Sequence, residues 1–184
     1  LLFKHEIKHR SEEILEFLKE ERKRNFLNFR ISYSLFEGKF PDEEEKIKDI
    51  IALANQLSAV LTKGLNGNPR HCKRFLNSLS MRIKMAEIKE VELDKKVLSK
   101  LMLLEYFKDG VFKEIGKMQS FEKGRPKELG LIESDNWDNV EKLKLWRDDE
   151  WFQNWCKMEP KLNEIDLQPY FYFTRESLEY RGYS

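Results

Sequence analysis

A chain of 184 residues with 34 basic and 33 acidic side chains carries a formal net charge of +1. That near-balance argues against bulk binding of nucleic-acid backbone, which calls for a concentrated cationic face. The length suits one domain, or one domain with a small appendage, burying about 70% of its unfolded surface.

Two cysteines, Cys72 and Cys156, stand far apart, with no CxxC and no Cys/His cluster. Neither structural zinc nor a disulfide framework is expected, and the pattern suits a reducing compartment. No apolar run approaches the roughly twenty residues needed to span a bilayer, and no signal peptide opens the chain. The expectation is a cytoplasmic protein with no membrane partner and no metal.

In chain order, Ser11 to about Arg24 reads as a helix with Ile14, Leu15 and Leu18 on its apolar side. Phe26, Phe29, Ile31, Tyr33 and Leu35 then predict a short extended or irregular stretch, broken at Gly38. Pro41-Asp42 restarts the chain, and Ile47, Ile50, Ile51, Ala54, Leu57 and Leu61 follow helical spacing. Gly64 and Gly67 bracket a turn. The next helix carries an apolar stripe of Cys72, Phe75, Leu76, Leu79, Ile83 and Ala86. Asp94 caps another, with Val97, Leu98, Leu101 and Leu104 along it. Residues 116–139 are turn-rich, with Gly124-Arg125-Pro126 and Ser134-Asp135-Asn136, and read as a loop or linker. Trp137, Trp146, Trp151 and Trp155 follow within nineteen residues. Trp151 and Trp155 are one helical turn apart. Tyr170-Phe171-Tyr172-Phe173 reads as a strand or extended tail.

The expected fold is mainly α, a helical bundle ending in an irregular aromatic segment. Its parts are a helical region over 1–115, the loop or linker at 116–139, and an aromatic-rich segment over 140–184 packed on the bundle.

One motif is discounted. His5-Glu6-Ile7-Lys8-His9 satisfies H-E-x-x-H, a zinc-chelating spacing on a helix. Lys4, Lys8 and Arg10 surround it with positive charge that disfavours a dication, so a solvated helix face is the reading kept.

The strongest signal is Gly67-Asn68-Pro69-Arg70-His71-Cys72-Lys73-Arg74-Phe75-Leu76-Asn77. Asn68 is a favoured N-cap and Pro69 fits the first helical position. Arg70, Lys73 and Arg74 lie off the apolar stripe, so the core does not need them. Arginine beside unpaired N–H groups at a helix start is a phosphate-binding arrangement.

This pattern resembles the sensor-2 helix of KAP-type P-loop NTPases, relatives of the AAA+ and STAND ATPases. The resemblance implies a helical lid in which Arg70 reaches the γ-phosphate of ATP, with Asn68, Lys73 and Arg74 beside the nucleotide. No G-x-x-x-x-G-K-S/T string occurs in the 184 residues. ATP and Mg²⁺ would therefore be held by an NTPase core on other residues, with no cofactor expected for this segment alone and no turnover by it.

A second similarity runs through Trp151-Phe152-Gln153-Asn154-Trp155, Glu159-Pro160-Lys161-Leu162 and residues 165–176. It resembles the C-terminal segment of the ATPase subunit of Qat-type anti-phage defence systems, and Asp94–Leu101 also fits. Gln168 stands where that pattern has arginine. The resemblance implies coupling of ATP sensing to companion defence proteins.

Another class of reading is a helical scaffold docking partner proteins through Trp151, Trp155, Tyr170 and Tyr172, since tryptophan and tyrosine dominate such sites. A nucleic-acid helix with Arg70, Lys73, Arg74 and Arg82 on phosphates is the less favoured third.

Overall fold

The computed structural model describes residues 7, 9–64 and 68–179, with side chains at 59, 60, 62–64 and 175–179 left aside. It is mainly helical, with no strand among the described residues. The chain divides into two compact units, Leu1–Ser80 and Met81–Ser184.

In the first unit, α1 (Ser11–Arg24) has Glu12 and Glu13 in its first turn and Arg22, Lys23 and Arg24 in its last. Both ends thus complement the helix dipole. Its polar face is laced by Glu16–Lys19 at 2.5 Å, Glu20–Lys23 at 2.7 Å and Glu21–Arg24 at 2.8 Å. Exposed pairs of this kind contribute little to stability, so the inner face decides where α1 sits. There Ile14 and Leu18 join Ile7, Phe36, Phe40 and Ile47, Ile50 and Ile51 from α2 (Glu44–Gly64) in one apolar cluster. Phe17 lies 5.7 Å from both the Phe36 and Phe40 rings, in tilted and edge-on geometries.

The stretch expected as extended is instead irregular and then turns through a 3₁₀ segment at Tyr33–Leu35. Without a neighbouring strand its backbone groups pair locally, as in Phe36 N–H to Tyr33 O at 2.9 Å. Phe29, Tyr33 and Leu35 pack on the cluster, while Phe26, Leu27 and Ile31 point away from it. Gly38, at φ +68°, makes the turn before Phe40 and Pro41.

Helix α3 (Pro69–Ile88) contributes to both units. In the second, α4 (Lys95–Phe107) is buried at every residue from Val97 to Leu104. A helix enclosed all round is a central helix. Asp94 caps it as expected, accepting from Lys96 N–H at 2.7 Å and Val97 N–H at 3.3 Å. Helix α5 (Asp109–Phe121) packs against α4.

Two corrections belong here. Residues 116–139 are not a linker: they hold the end of α5 and all of α6 (Lys127–Glu133), whose Leu129 and Ile132 are buried. The Gly124-Arg125-Pro126 turn is fastened, with Gly124 O accepting from Leu167 N–H at 2.9 Å. The division between units falls after Ser80, and residues 81–115 belong with the C-terminal part.

The aromatic tail, expected as irregular or extended, is helical. After α7 (Glu150–Cys156), the last described element is α8 (Gln168–Glu179), which packs against α4 and α5. Phe171 stacks on Phe112 at 4.8 Å. Gly116 permits this approach, since a Cβ there would meet the Phe171 ring at 3.0 Å.

Candidate functional site

Pro69 starts α3, and Asn68 caps it, its Oδ1 accepting from Arg70 N–H at 3.0 Å. The Asn68 carbonyl accepts from Cys72 N–H at 3.2 Å, closing the first turn. Asn68 therefore serves the helix itself, and one of the N–H groups that a phosphate would use is already taken. Recognition of an anion here falls to side chains.

Arg70, Lys73 and Arg74 are all exposed and share one face by their three- and four-residue spacing. Phe75 and Leu79, on the other side, are buried. Among the described residues none forms an ion pair with these three cations. They form an exposed cationic face on a capped helix, able to meet a phosphate presented from outside. The Gly67 end of the motif lies outside the described residues.

Arg82 does not belong to that face. It is 3% exposed, and its guanidinium forks onto Glu105, Nη1 to Oε2 at 2.6 Å and Nη2 to Oε1 at 3.2 Å. The fork ties α3 to α4. A phosphate-binding role for Arg82 is ruled out in this fold.

The aromatic residues expected to meet partners separate into two groups. Trp155 has 0% exposure, stacks on Phe152 at 5.6 Å and donates Nε1–H to Lys100 O at 2.7 Å. Tyr170 is buried, its hydroxyl accepting from Asp94 N–H at 3.1 Å. Both hold the fold and offer nothing to a partner. Trp151 is half-buried against Phe107 at 5.3 Å. Tyr172 alone of the four is exposed, at 50%. The Lys89 ammonium lies 4.7 Å over its ring and donates to its hydroxyl at 2.8 Å.

The polar centre of the second unit was not foreseen. Lys100 is fully buried on α4, and its ammonium donates to Glu133 Oε1 at 2.7 Å, Met158 O at 2.8 Å and Pro160 O at 3.0 Å. Its three N–H groups have three acceptors. Glu133 Oε2 accepts from Leu162 N–H at 2.7 Å and Asn163 N–H at 3.1 Å. The indole of Trp155 lies 4.9 Å from the ammonium.

Burial lowers the Lys100 pKa from its ordinary value, opposed by the Glu133 carboxylate. Nearby, burial pushes the Cys156 thiol up to about 12, which makes it inert. With every proton committed and water excluded, Lys100 is an anchor for the 157–163 loop and not a nucleophile. A lysine set among Val97, Leu98, Leu101 and Met102 within a helix was the one sequence signal pointing to it.

No group of three or more His, Cys, Asp or Glu side chains that could hold a metal occurs among the described residues. His5 and Glu6 of the H-E-x-x-H string lie outside them. Among the described residues no helix is long and apolar enough to cross a membrane. No protein-family model, curated protein or solved structure matches the chain, so no family is assigned to it.

Proposed function

We propose that this chain is the lid and C-terminal region of a KAP-type P-loop ATPase, sensing bound ATP through Arg70. The observation that carries this reading is an exposed cationic face on a capped helix whose core does not use it. Arg70, Lys73 and Arg74 stand on a capped helix and are left without ion pairs to described residues. An arginine aimed at a phosphoryl group stabilises developing charge and distinguishes ATP from ADP. The nucleotide and its Mg²⁺ sit on a core outside these 184 residues, and the lid closes when the γ-phosphate draws Arg70 inward. In this reading the protein is cytoplasmic, and the second unit couples closure to companion proteins of an anti-phage defence complex.

The test is ATP turnover by the ATPase containing this region, with Arg70→Ala beside the unaltered protein. Loss of turnover with retained nucleotide binding supports the reading. Unchanged turnover refutes it.

The scaffold alternative keeps one specific observation, the exposed Tyr172 on α8 with Lys89 across its face. Trp155 and Tyr170 no longer belong to it.

A further inference from the structure

Between Arg22 and Ile31 the chain holds four cations, Arg22, Lys23, Arg24 and Arg30, and no acid. At its tip Phe26 is 72% exposed and Leu27 90%, with Ile31 beside them at 45%. The tip is not loose at its base, since Phe29, Tyr33 and Leu35 pack on the core of the first unit. Two adjacent bulky apolar side chains on a pinned, cationic projection are a poor arrangement in water and a good one in an interface. Lys23 and Arg24 reach back to Glu20 and Glu21, in exposed pairs that are weak and exchangeable.

The second unit carries the complement. The end of α3, the turn after it and the start of α4 enclose a groove of about 420 Å³. Ile83, Val91 and Leu93 give it apolar walls, and the acids Glu87, Glu90 and Glu92 line it. Lys95 is the single cation among its lining residues. The groove is preformed: Val91 N–H donates to Ala86 O at 2.9 Å and Glu90 N–H to Glu87 O at 3.1 Å. A ligand entering it spends little on ordering its walls.

We infer that the Arg22–Ile31 projection of one molecule docks in the Glu87–Glu92 groove of a second copy, Phe26 and Leu27 entering and the arginines meeting the glutamates. Basic-apolar against acidic-apolar is complementary in both charge and character. Because donor and acceptor surfaces differ, the association is head-to-tail and grows into chains or closes into a ring. The contact is small, so it is weak, concentration-dependent and weakened by salt. The inference does not depend on the ATP reading.

Sedimentation velocity across a concentration series tests it with three forms of the chain. The unaltered chain forms dimers and larger species at low salt, with at least a tenfold loss of affinity at high salt. The projection variant, Phe26→Asp with Leu27→Asp, and the groove variant, Glu87→Lys with Glu92→Lys, each sediment as monomers. An equimolar mixture of the two forms a heterodimer, because one intact projection meets one intact groove. Retained helical circular dichroism checks folding, and Leu27→Ser, at the most exposed of these positions, weakens association without touching the core. A monomeric parent chain, a self-associating variant or a monomeric mixture each overturns the inference. A monomeric parent that sediments with phosphatidylserine vesicles through Phe26 and Leu27 overturns it in favour of a lipid surface.

Discussion

Lys100 and Glu133 form a buried ion pair at 2.7 Å in which both partners hold further backbone groups. The ammonium also holds the Met158 and Pro160 carbonyls, and the carboxylate holds the Leu162 and Asn163 N–H groups. The pair therefore joins α4, α6 and the loop before α8 at one point. Removing one member leaves a buried charge uncompensated, which costs about 3–5 kcal/mol. Glu133→Ala is expected at the upper end, since it orphans two N–H groups as well as the lysine. Lys100→Met is expected to cost less: it frees the Met158 and Pro160 carbonyls, but an unpaired C=O is tolerated better than an unpaired N–H, and Glu133 keeps both N–H donors. Urea unfolding of the two variants measures the order. Equal, small losses below about 1 kcal/mol would show the network to be dispensable.

The aromatic residues give a second contrast. Trp155→Ala removes a fully enclosed indole and its hydrogen bond to Lys100 O, and should cost about 3–5 kcal/mol. Tyr172→Ala removes an exposed ring with one cation over it, and should cost no more than about 1 kcal/mol. Thermal unfolding of both variants checks the pair. Loss of partner binding on Trp155→Ala alone would then report unfolding, whereas the same loss on Tyr172→Ala would report a contact.

What the sequence disclosed and concealed follows from how each residue is used. Asp94 and the Asn68-Pro69 pair were legible because capping is local chemistry, and α1 and α2 because their apolar residues recur at helical spacing against one core. Tyr170-Phe171-Tyr172-Phe173 misled because aromatic runs favour strands by propensity. Tertiary packing decided otherwise: Phe171 and Phe173 turn inward with Tyr170, and Tyr172 turns out. A start signal was present, since Asp166 Oδ1 accepts from Gln168 N–H at 2.9 Å immediately before Pro169. Residues 116–139 misled because their glycines and acids mark real turns, while Leu129 and Ile132 between those turns are core. Lys100 stayed hidden because lysine is seldom enclosed and Glu133, its partner, lies thirty-three residues on. In the candidate site, the exposure of Arg70, Lys73 and Arg74 was legible from the stripe, whereas the pairing of Arg82 with Glu105 was not.

At the start of α3 the cap and the cations separate cleanly. Asn68→Ala removes the acceptor for Arg70 N–H and should cost about 1 kcal/mol. Arg70→Ala, Lys73→Ala and Arg74→Ala change exposed side chains and should stay within about 0.5 kcal/mol. Denaturant midpoints of the four variants settle this. Destabilisation by Arg70→Ala beyond that of Asn68→Ala would mean that Arg70 is structural, and the ATP-sensing reading would lose its support.

Asp149 supplies a pH dependence. Its Oδ1 accepts from Phe152 N–H at 2.9 Å, capping α7, and Oδ2 pairs with Lys108. Burial raises the carboxyl pKa, but the Lys108 ammonium and the Phe152 and Trp151 N–H groups outweigh it and hold the value below the ordinary 3.8. A depressed folded-state pKa contributes stability that is present above the unfolded value and is lost as pH falls through the folded one. The second unit should therefore lose stability below about pH 4, and Asp149→Asn should flatten part of that fall while lowering stability at neutral pH. Melting temperatures of the two forms between pH 2 and pH 7 measure both effects, read through tryptophan fluorescence. Parallel curves for the two forms would exclude Asp149 as the titrating cap.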